Sequence, residues 1–146
     1  MGFLFQPSFV RGWKISRDSY YRDVALAACA SHASRFNAVG RFLPAWDPSE
    51  DSIFAGRTIV DTVMNLPILF WGAREANRPE WEEIARAVSA TIRSNHVRPD
   101  GSTFHVVDFD PTSGEAISYT THQGFASTSC WSRGQAWALY GFALVS

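Results

Sequence analysis

Thr58-Ile-Val-Asp61-Thr-Val-Met-Asn65-Leu-Pro-Ile-Leu-Phe-Trp71 is the stretch whose reading decides the fold. Ile59, Val63, Leu66 and Phe70 recur at helical spacing, which predicts a helix over about 57–75. A short polar link follows, and Trp81, Ile84, Ala85, Val88 and Ile92 predict a second helix over about 80–96. Its start carries Asn77, Pro79 and the acids Glu80, Glu82 and Glu83, which suit the positive end of a helix dipole. The pair is a helical hairpin, and it has a weak copy upstream. Shifted by about 60 residues, Pro7 meets Pro67, Gly12 meets Gly72, Tyr21 meets Trp81, Ala25 meets Ala85 and Ala27 meets Ala87. The copy contains a predicted helix over about 18–36, with Tyr21, Val24, Ala25, Ala28 and His32 on one face, after a shorter one over 3–14. Another short helix is predicted over 133–145. Repeated helical hairpins stack as an open solenoid or close into a ring, and two and a half copies are fewer than a stable stack usually needs. One region reads as extended. Thr103 to Phe109 alternates, Asp110-Pro-Thr-Ser-Gly114 is a turn, and a second short strand is predicted near Ala116–Tyr119. That is a small β-hairpin inserted between helices.

The chain has 146 residues, enough for one domain, with 13 Lys+Arg against 14 Asp+Glu. That balance leaves no charge surplus to drive binding to nucleic acid or a membrane surface. Aromatic residues make up 14%, including six tryptophans, and aromatic faces are what sugar rings stack on. Cys29 and Cys130 are too few for a disulfide framework and are expected to be two buried thiols. The longest apolar run, Leu66 to Trp71, is far short of the roughly 18 residues of a membrane helix. Met1 to Pro7 lacks the features of a signal peptide, which favours the cytoplasm. The chain nevertheless opens and closes directly in apolar sequence, so both ends read as cut.

Several residues invite chemistry. Asp61 lies in an apolar segment with Asn65 one predicted helical turn away, either a helix–helix hydrogen bond or a general acid whose apolar neighbours raise its pKa. His105 sits on the predicted strand, where its imidazole either faces a cleft or is an ordinary core group. Asp108 and Asp110 flank Phe109, and because Asp110-Pro111 starts a turn they read as structural rather than as metal ligands. Thr121 to Trp137 concentrates polar donors before the last helix. Arg133 there suits a carboxylate, although the loop also reads as structural with an N-cap at Ser132. Trp46, between prolines on an inter-helix loop, either meets a ligand or plugs the hairpin junction.

Val60-Asp61-Thr-Val-Met-Asn-Leu-Pro-Ile-Leu-Phe-Trp71, Arg98-Pro-Asp-Gly-Ser-Thr-Phe-His105, Thr121-His-Gln-Gly124 and Trp131-Ser-Arg-Gly-Gln-Ala-Trp-Ala-Leu-Tyr-Gly-Phe142 resemble, in order and from end to end of the chain, the unsaturated glucuronyl hydrolases of glycoside hydrolase family 88. The resemblance implies an all-α fold, part of an (α/α)6 barrel of helical hairpins. Six hairpins of about 60 residues need about 360, so it implies a piece lacking the N-terminal part and the C-terminal half, and inactive alone. The family's His-Asp pair, whose aspartate is a second essential carboxylate, would lie just upstream of Gly2-Phe3. The family hydrates the 4,5-double bond of the unsaturated uronic acid that lyases leave at the non-reducing end of oligosaccharides. An acid protonates C4, water adds at C5, and the hemiketal opens to release the sugar. Asp61 matches the catalytic acid/base, and Trp46, His105, Gln123, Arg133 and Trp137 match positions lining the sugar site. No metal or cofactor is implied. The implied partner is an unsaturated uronic-acid oligosaccharide, with no nucleic acid and no membrane. Competing readings are an unsaturated rhamnogalacturonyl hydrolase on the same barrel, a non-catalytic sugar-binding remnant, and a helical scaffold whose tryptophans only pack.

Overall fold

A computed structural model describes residues 2–47 and 52–145 of the chain. The helices are α1 (Gly2–Phe5), continued by a π-helical turn (Gln6–Val10) into α2 (Arg11–Ser16), then α3 (Ser19–Ala33), α4 (Pro67–Glu75), α5 (Pro79–His96) and α6 (Ser132–Val145). Strands β1 (Arg57–Ile59), β2 (Val106–Phe109) and β3 (Ala116–Thr120) form one antiparallel sheet in the order β1-β2-β3. Short 3-10 helices occupy Ser52–Ala55 and Val60–Asn65.

Each long helix starts for a visible reason. Asp18 caps α3 by accepting the Tyr20 N–H at 3.0 Å, and α2 stops just before it at Arg17, which takes a left-handed φ of 59°. Pro67 opens α4 and Pro79 opens α5, where proline's missing N–H costs nothing. The apolar faces of α3, α4 and α5 meet in one core with Ala25, Cys29, Leu66, Ile68, Leu69, Trp81, Ala85 and Val88.

The internal repeat is physical. A Cβ on Gly12 would come 2.8 Å from the Tyr21 ring, and one on Gly72 would come 3.0 Å from the Trp81 ring and 2.6 Å from Cys29 Sγ. In both hairpins a glycine on the first helix seats an aromatic ring from the second. Pro7 and Pro67 both stand at helical starts, and Ala25 and Ala85 are fully buried.

Three expectations need correction. The helix over 57–75 is really a strand, a 3-10 helix and then α4. The β-branched run Thr58-Ile59-Val60 favours pairing with β2, and Pro67, which has no N–H to donate, resets the start of the α-helix. Asn65 accordingly leaves the face of Asp61 and accepts the Phe3 N–H at 2.8 Å, because a 3-10 helix does not align residues four apart. The β insertion has three strands, with Arg57 opposite Asp108 and Ile59 opposite Val106. Only one thiol is buried. Cys29 lies in the core with its Sγ donating to the Ile68 carbonyl, whereas Cys130 is exposed. Asp108, in the stretch read as extended, lies within β2 and pairs with Arg57 at 2.6 Å and with the Ser118 hydroxyl. Asp110 does hold the following turn, accepting the Thr112 N–H at 2.7 Å.

Candidate active site

Asp61 is the second residue of the 3-10 helix between β1 and α4. Its neighbour Val60 donates its N–H to the His105 carbonyl at 3.0 Å, so the two candidate residues are tied through their backbones. His105 lies just before β2 rather than within it. Its Nε2 is 3.9 Å from Asp61 Oδ2, and that oxygen is buried with no hydrogen-bond partner among the described residues. Burial raises the Asp61 carboxyl above its ordinary 3.8, against a backbone hydrogen bond and the positive charge of Arg133.

The tautomer of His105 follows from its other nitrogen. Nδ1 faces the backbone N–H groups of His122 at 3.2 Å and Gln123 at 3.3 Å, and the Thr121 hydroxyl at 3.2 Å. Backbone amides only donate, so Nδ1 accepts and the ring proton sits on Nε2, on the side of Asp61. Burial, with the nearby His122 and Arg133, pushes the imidazole down to about 4, which keeps it neutral near pH 7. The pair is therefore a carboxyl biased towards holding its proton beside a neutral N–H donor.

The Thr121–Trp131 loop and the start of α6 complete the wall. The Trp131 ring lies over His105 with centroids 4.2 Å apart, and the Arg133 guanidinium lies 4.3 Å over the Trp131 ring. Arg133 also donates to Gln123 Oε1. The guanidinium is brought there by close helix packing. A Cβ on Gly134 would meet Val60 at 3.0 Å and one on Gly141 would meet Val63 at 2.4 Å, so only a small-residue face lets α6 lie on the segment that carries Asp61. Ser132, expected to cap this helix, is its first residue.

Trp46 joins through His122, ring edge to face at 6.0 Å, and is stacked on Phe54 at 5.6 Å. It is half-buried, and Pro48 beyond it lies outside the described residues. Trp137, one turn after Arg133, packs instead on Phe3 at 5.2 Å. Asp61, His105, Gln123, Arg133 and Trp46 thus form one chain of contacts, and Trp137 stands beside it. Sequence reasoning missed Trp131, Thr121 and His122. Trp131 was visible only as one of two tryptophans in a polar loop, with nothing in its spacing to say that it would cover a histidine 26 positions upstream.

A cavity of about 710 Å³ opens elsewhere, between α1, α4 and the end of α6, lined by Phe3, Gln6, Met64, Trp71, Arg74 and Tyr140 among others. Asp61, His105, Gln123, Arg133 and Trp46 do not line it. No group of three His, Cys, Asp or Glu side chains among the described residues is arranged to hold a metal. No described helix is long and apolar enough to cross a membrane.

No protein-family model matches the chain. It is 40% identical over 146 residues to an unsaturated glucuronyl hydrolase of Bacillus sp. (strain GL1), covering 100% of this chain and 39% of that protein. It is 34% identical over 146 residues to an unsaturated chondroitin disaccharide hydrolase of Streptococcus pneumoniae (strain ATCC BAA-255 / R6), covering 99% of this chain and 36% of that one. Its fold superposes on the crystal structure of the Bacillus sp. GL1 unsaturated glucuronyl hydrolase, described as responsible for the degradation of glycosaminoglycan. The TM-score is 0.94 at 40% identity, over 99% of this chain and 38% of that one. The chain is a homologue of the unsaturated glucuronyl hydrolases. It spans less than two-fifths of the length of these relatives, and its helical hairpins superpose on part of the (α/α)6 barrel of those enzymes.

Proposed function

We propose that the protein to which these residues belong hydrates the 4,5-double bond of an unsaturated uronic acid at the non-reducing end of an oligosaccharide and so releases the sugar. Residues 1–146 are, in this reading, one partial (α/α)6-barrel domain. The observation that carries the proposal is the buried Asp61 Oδ2, without a hydrogen-bond partner among the described residues, facing the Nε2 of a neutral His105 at 3.9 Å. Protonating a carbon of an enol ether needs a donor that still holds its proton near neutrality and is held rigidly, and burial biases Asp61 towards that state.

Asp61 gives its proton to C4, and positive charge develops at C5 and the ring oxygen. Water then adds at C5, returning a proton to the Asp61 carboxylate. The hemiketal so formed opens to a ketone at C5 and leaves a hemiacetal at C1, which collapses to an aldehyde as the bond to the sugar breaks and the departing oxygen takes up the hydroxyl proton. This route does not attack the glycosidic carbon, so the carboxylate spacing of ordinary glycosidases does not bear on it. Arg133, fixed by Trp131 and Gln123, offers its fork to the uronate carboxylate. His105 Nε2–H donates to substrate oxygen beside the reacting carbons, Gln123 contacts hydroxyls, and Trp46 and Trp137 give faces on which rings stack. The Bacillus and Streptococcus relatives are named for glucuronyl and chondroitin disaccharide substrates, which makes glycosaminoglycan fragments the first class to try.

The test is the loss of double-bond absorbance when the whole protein meets an unsaturated uronyl disaccharide. Asp61→Asn is expected to lower the rate about 100- to 10,000-fold while leaving binding largely intact. Turnover by Asp61→Asn equal to that of the parent would sink the assignment of the acid.

A further inference from the structure

His96, the last residue of α5, is fully buried, and nothing in the chemistry above uses it. Its two ring nitrogens reach the two segments that carry the candidate pair. Nδ1 lies 3.2 Å from the carbonyl oxygen of Phe104, the residue before His105. Nε2 lies 2.9 Å from the hydroxyl of Thr58 on β1, three residues before Asp61. The His96 main chain adds a third tie, its carbonyl accepting the Phe104 N–H at 2.8 Å.

The hydrogens can be assigned from these partners. A carbonyl only accepts, so the contact with Phe104 needs the proton on Nδ1. A neutral ring then presents a bare Nε2, which accepts the Thr58 O–H. In the other tautomer Thr58 donates to the Val107 carbonyl, also in reach at 2.9 Å, but a nitrogen lone pair then opposes the Phe104 oxygen in a dry site, which is costly. Burial pushes the ring down to about 4, consistent with a neutral imidazole.

We propose that His96 is a positioning residue, a neutral Nδ1–H imidazole that sets the spacing between the segments bearing Asp61 and His105. The proposal rests on the functional reading above. The reacting groups sit 3.9 Å apart, and a shift of about 1 Å in such a constellation can cost about 100-fold in rate. A side chain that holds Phe104 against Thr58 therefore governs the pair without touching substrate.

The experiment is long-range proton–nitrogen correlation NMR on the full chain labelled at histidine. In the parent, His96 is expected as the Nδ1–H tautomer and His105 as the Nε2–H tautomer, each a single form. His96→Asn keeps an N–H where Nδ1 was, facing Phe104, and is expected to leave the His105 nitrogens at their parent shifts. His96→Gln keeps a polar group only towards Thr58, and is expected to move His105 towards a mixture of tautomers. A purely structural His96 would lower the melting temperature in both variants and leave His105 unchanged in both, and that result overturns the proposal. So does an Nε2–H tautomer for His96 in the parent, a result that needs no variant to fold. The readout does not depend on turnover. Failure of Asp61→Asn to lose activity would remove the functional reading while leaving the two tautomers as measured.

Discussion

The two helical hairpins are built on the same contact and bear different loads. In the first, Gly12 on α2 seats Tyr21 of α3. In the second, Gly72 on α4 seats Trp81 of α5. Tyr21 remains 36% exposed and Trp81 only 6%. Of the paired alanines, Ala27 faces solvent whereas Ala87 is buried. The lead-ins differ as well. A π-helical turn precedes the first hairpin, and β1 with the 3-10 helix bearing Asp61 precedes the second. A repeat in sequence is thus a repeat of backbone contact, while burial and chemistry belong to each copy's surroundings.

The largest effect should come from removing the seated ring. Trp81→Ala is expected to cost about 3–5 kcal/mol in denaturant unfolding. Tyr21→Ala is expected to cost about 1 kcal/mol, and equal losses would break the comparison. Filling the seat should cost less. Gly72→Ala forces a methyl against Cys29 and Trp81 in a closed core, for about 1–3 kcal/mol, whereas at Gly12 the half-open Tyr21 can swing away and the loss should be under about 1 kcal/mol.

Each hairpin also buries a histidine near the end of its second helix, and the two are not equivalent. His96 has partners on both nitrogens, while neither nitrogen of His32 has a hydrogen-bond partner among the described residues. Burial pushes both down from 6.5 to about 4. Above pH 6.5 such a group is neutral folded and unfolded. As pH falls from 6.5 towards 4, the unfolded chain takes up protons that the folded chain refuses, so stability held above 6.5 is lost across that window. His32→Leu should remove part of that loss and add about 1 kcal/mol at neutral pH, read as melting temperature against pH. A variant that melts as the parent does at pH 5 would show that His32 bears no part of it.

The smallest effect has the opposite sign to its functional one. The Asp61 carboxyl is raised on folding, so its protonated form costs nothing below 3.8 and its ionised form is a burden at higher pH. Asp61→Asn should melt slightly higher than the parent at neutral pH, the gain shrinking as pH approaches 3.8. A lower melting point at neutral pH would mean that the carboxylate is stabilising where it sits, against the reading of Asp61 as a strained acid.

Much of the helical frame was legible because it is local. The apolar spacing of α3 and α5 and the proline at 79 are signals carried within a few residues. The segment 57–66 was misread for the same reason. Its apolar spacing suits a helix, but Arg57-Thr58-Ile59 pairs with a strand about 50 residues downstream, and no window of local sequence contains that partner. In the site, Asp61, His105 and Arg133 stood out by residue type. Trp131 and His96 did not, since a ring that covers and a ring that spaces are ordinary core residues until their neighbours are known.

What the amino-acid sequence determined by itself is the alternation of helical hairpins, the repeat that matches Gly12 with Gly72, and the kinship carried by its motifs. These follow from side-chain periodicity and from short strings whose meaning does not depend on distant residues. What only the tertiary structure decided is the state of the polar groups. Which nitrogen of His105 bears the proton depends on the amides of His122 and Gln123, and the burial of Asp61 Oδ2 depends on what packs over it. Protonation is set by desolvation and by partners at hydrogen-bond distance, and these come from chain segments that only folding brings together.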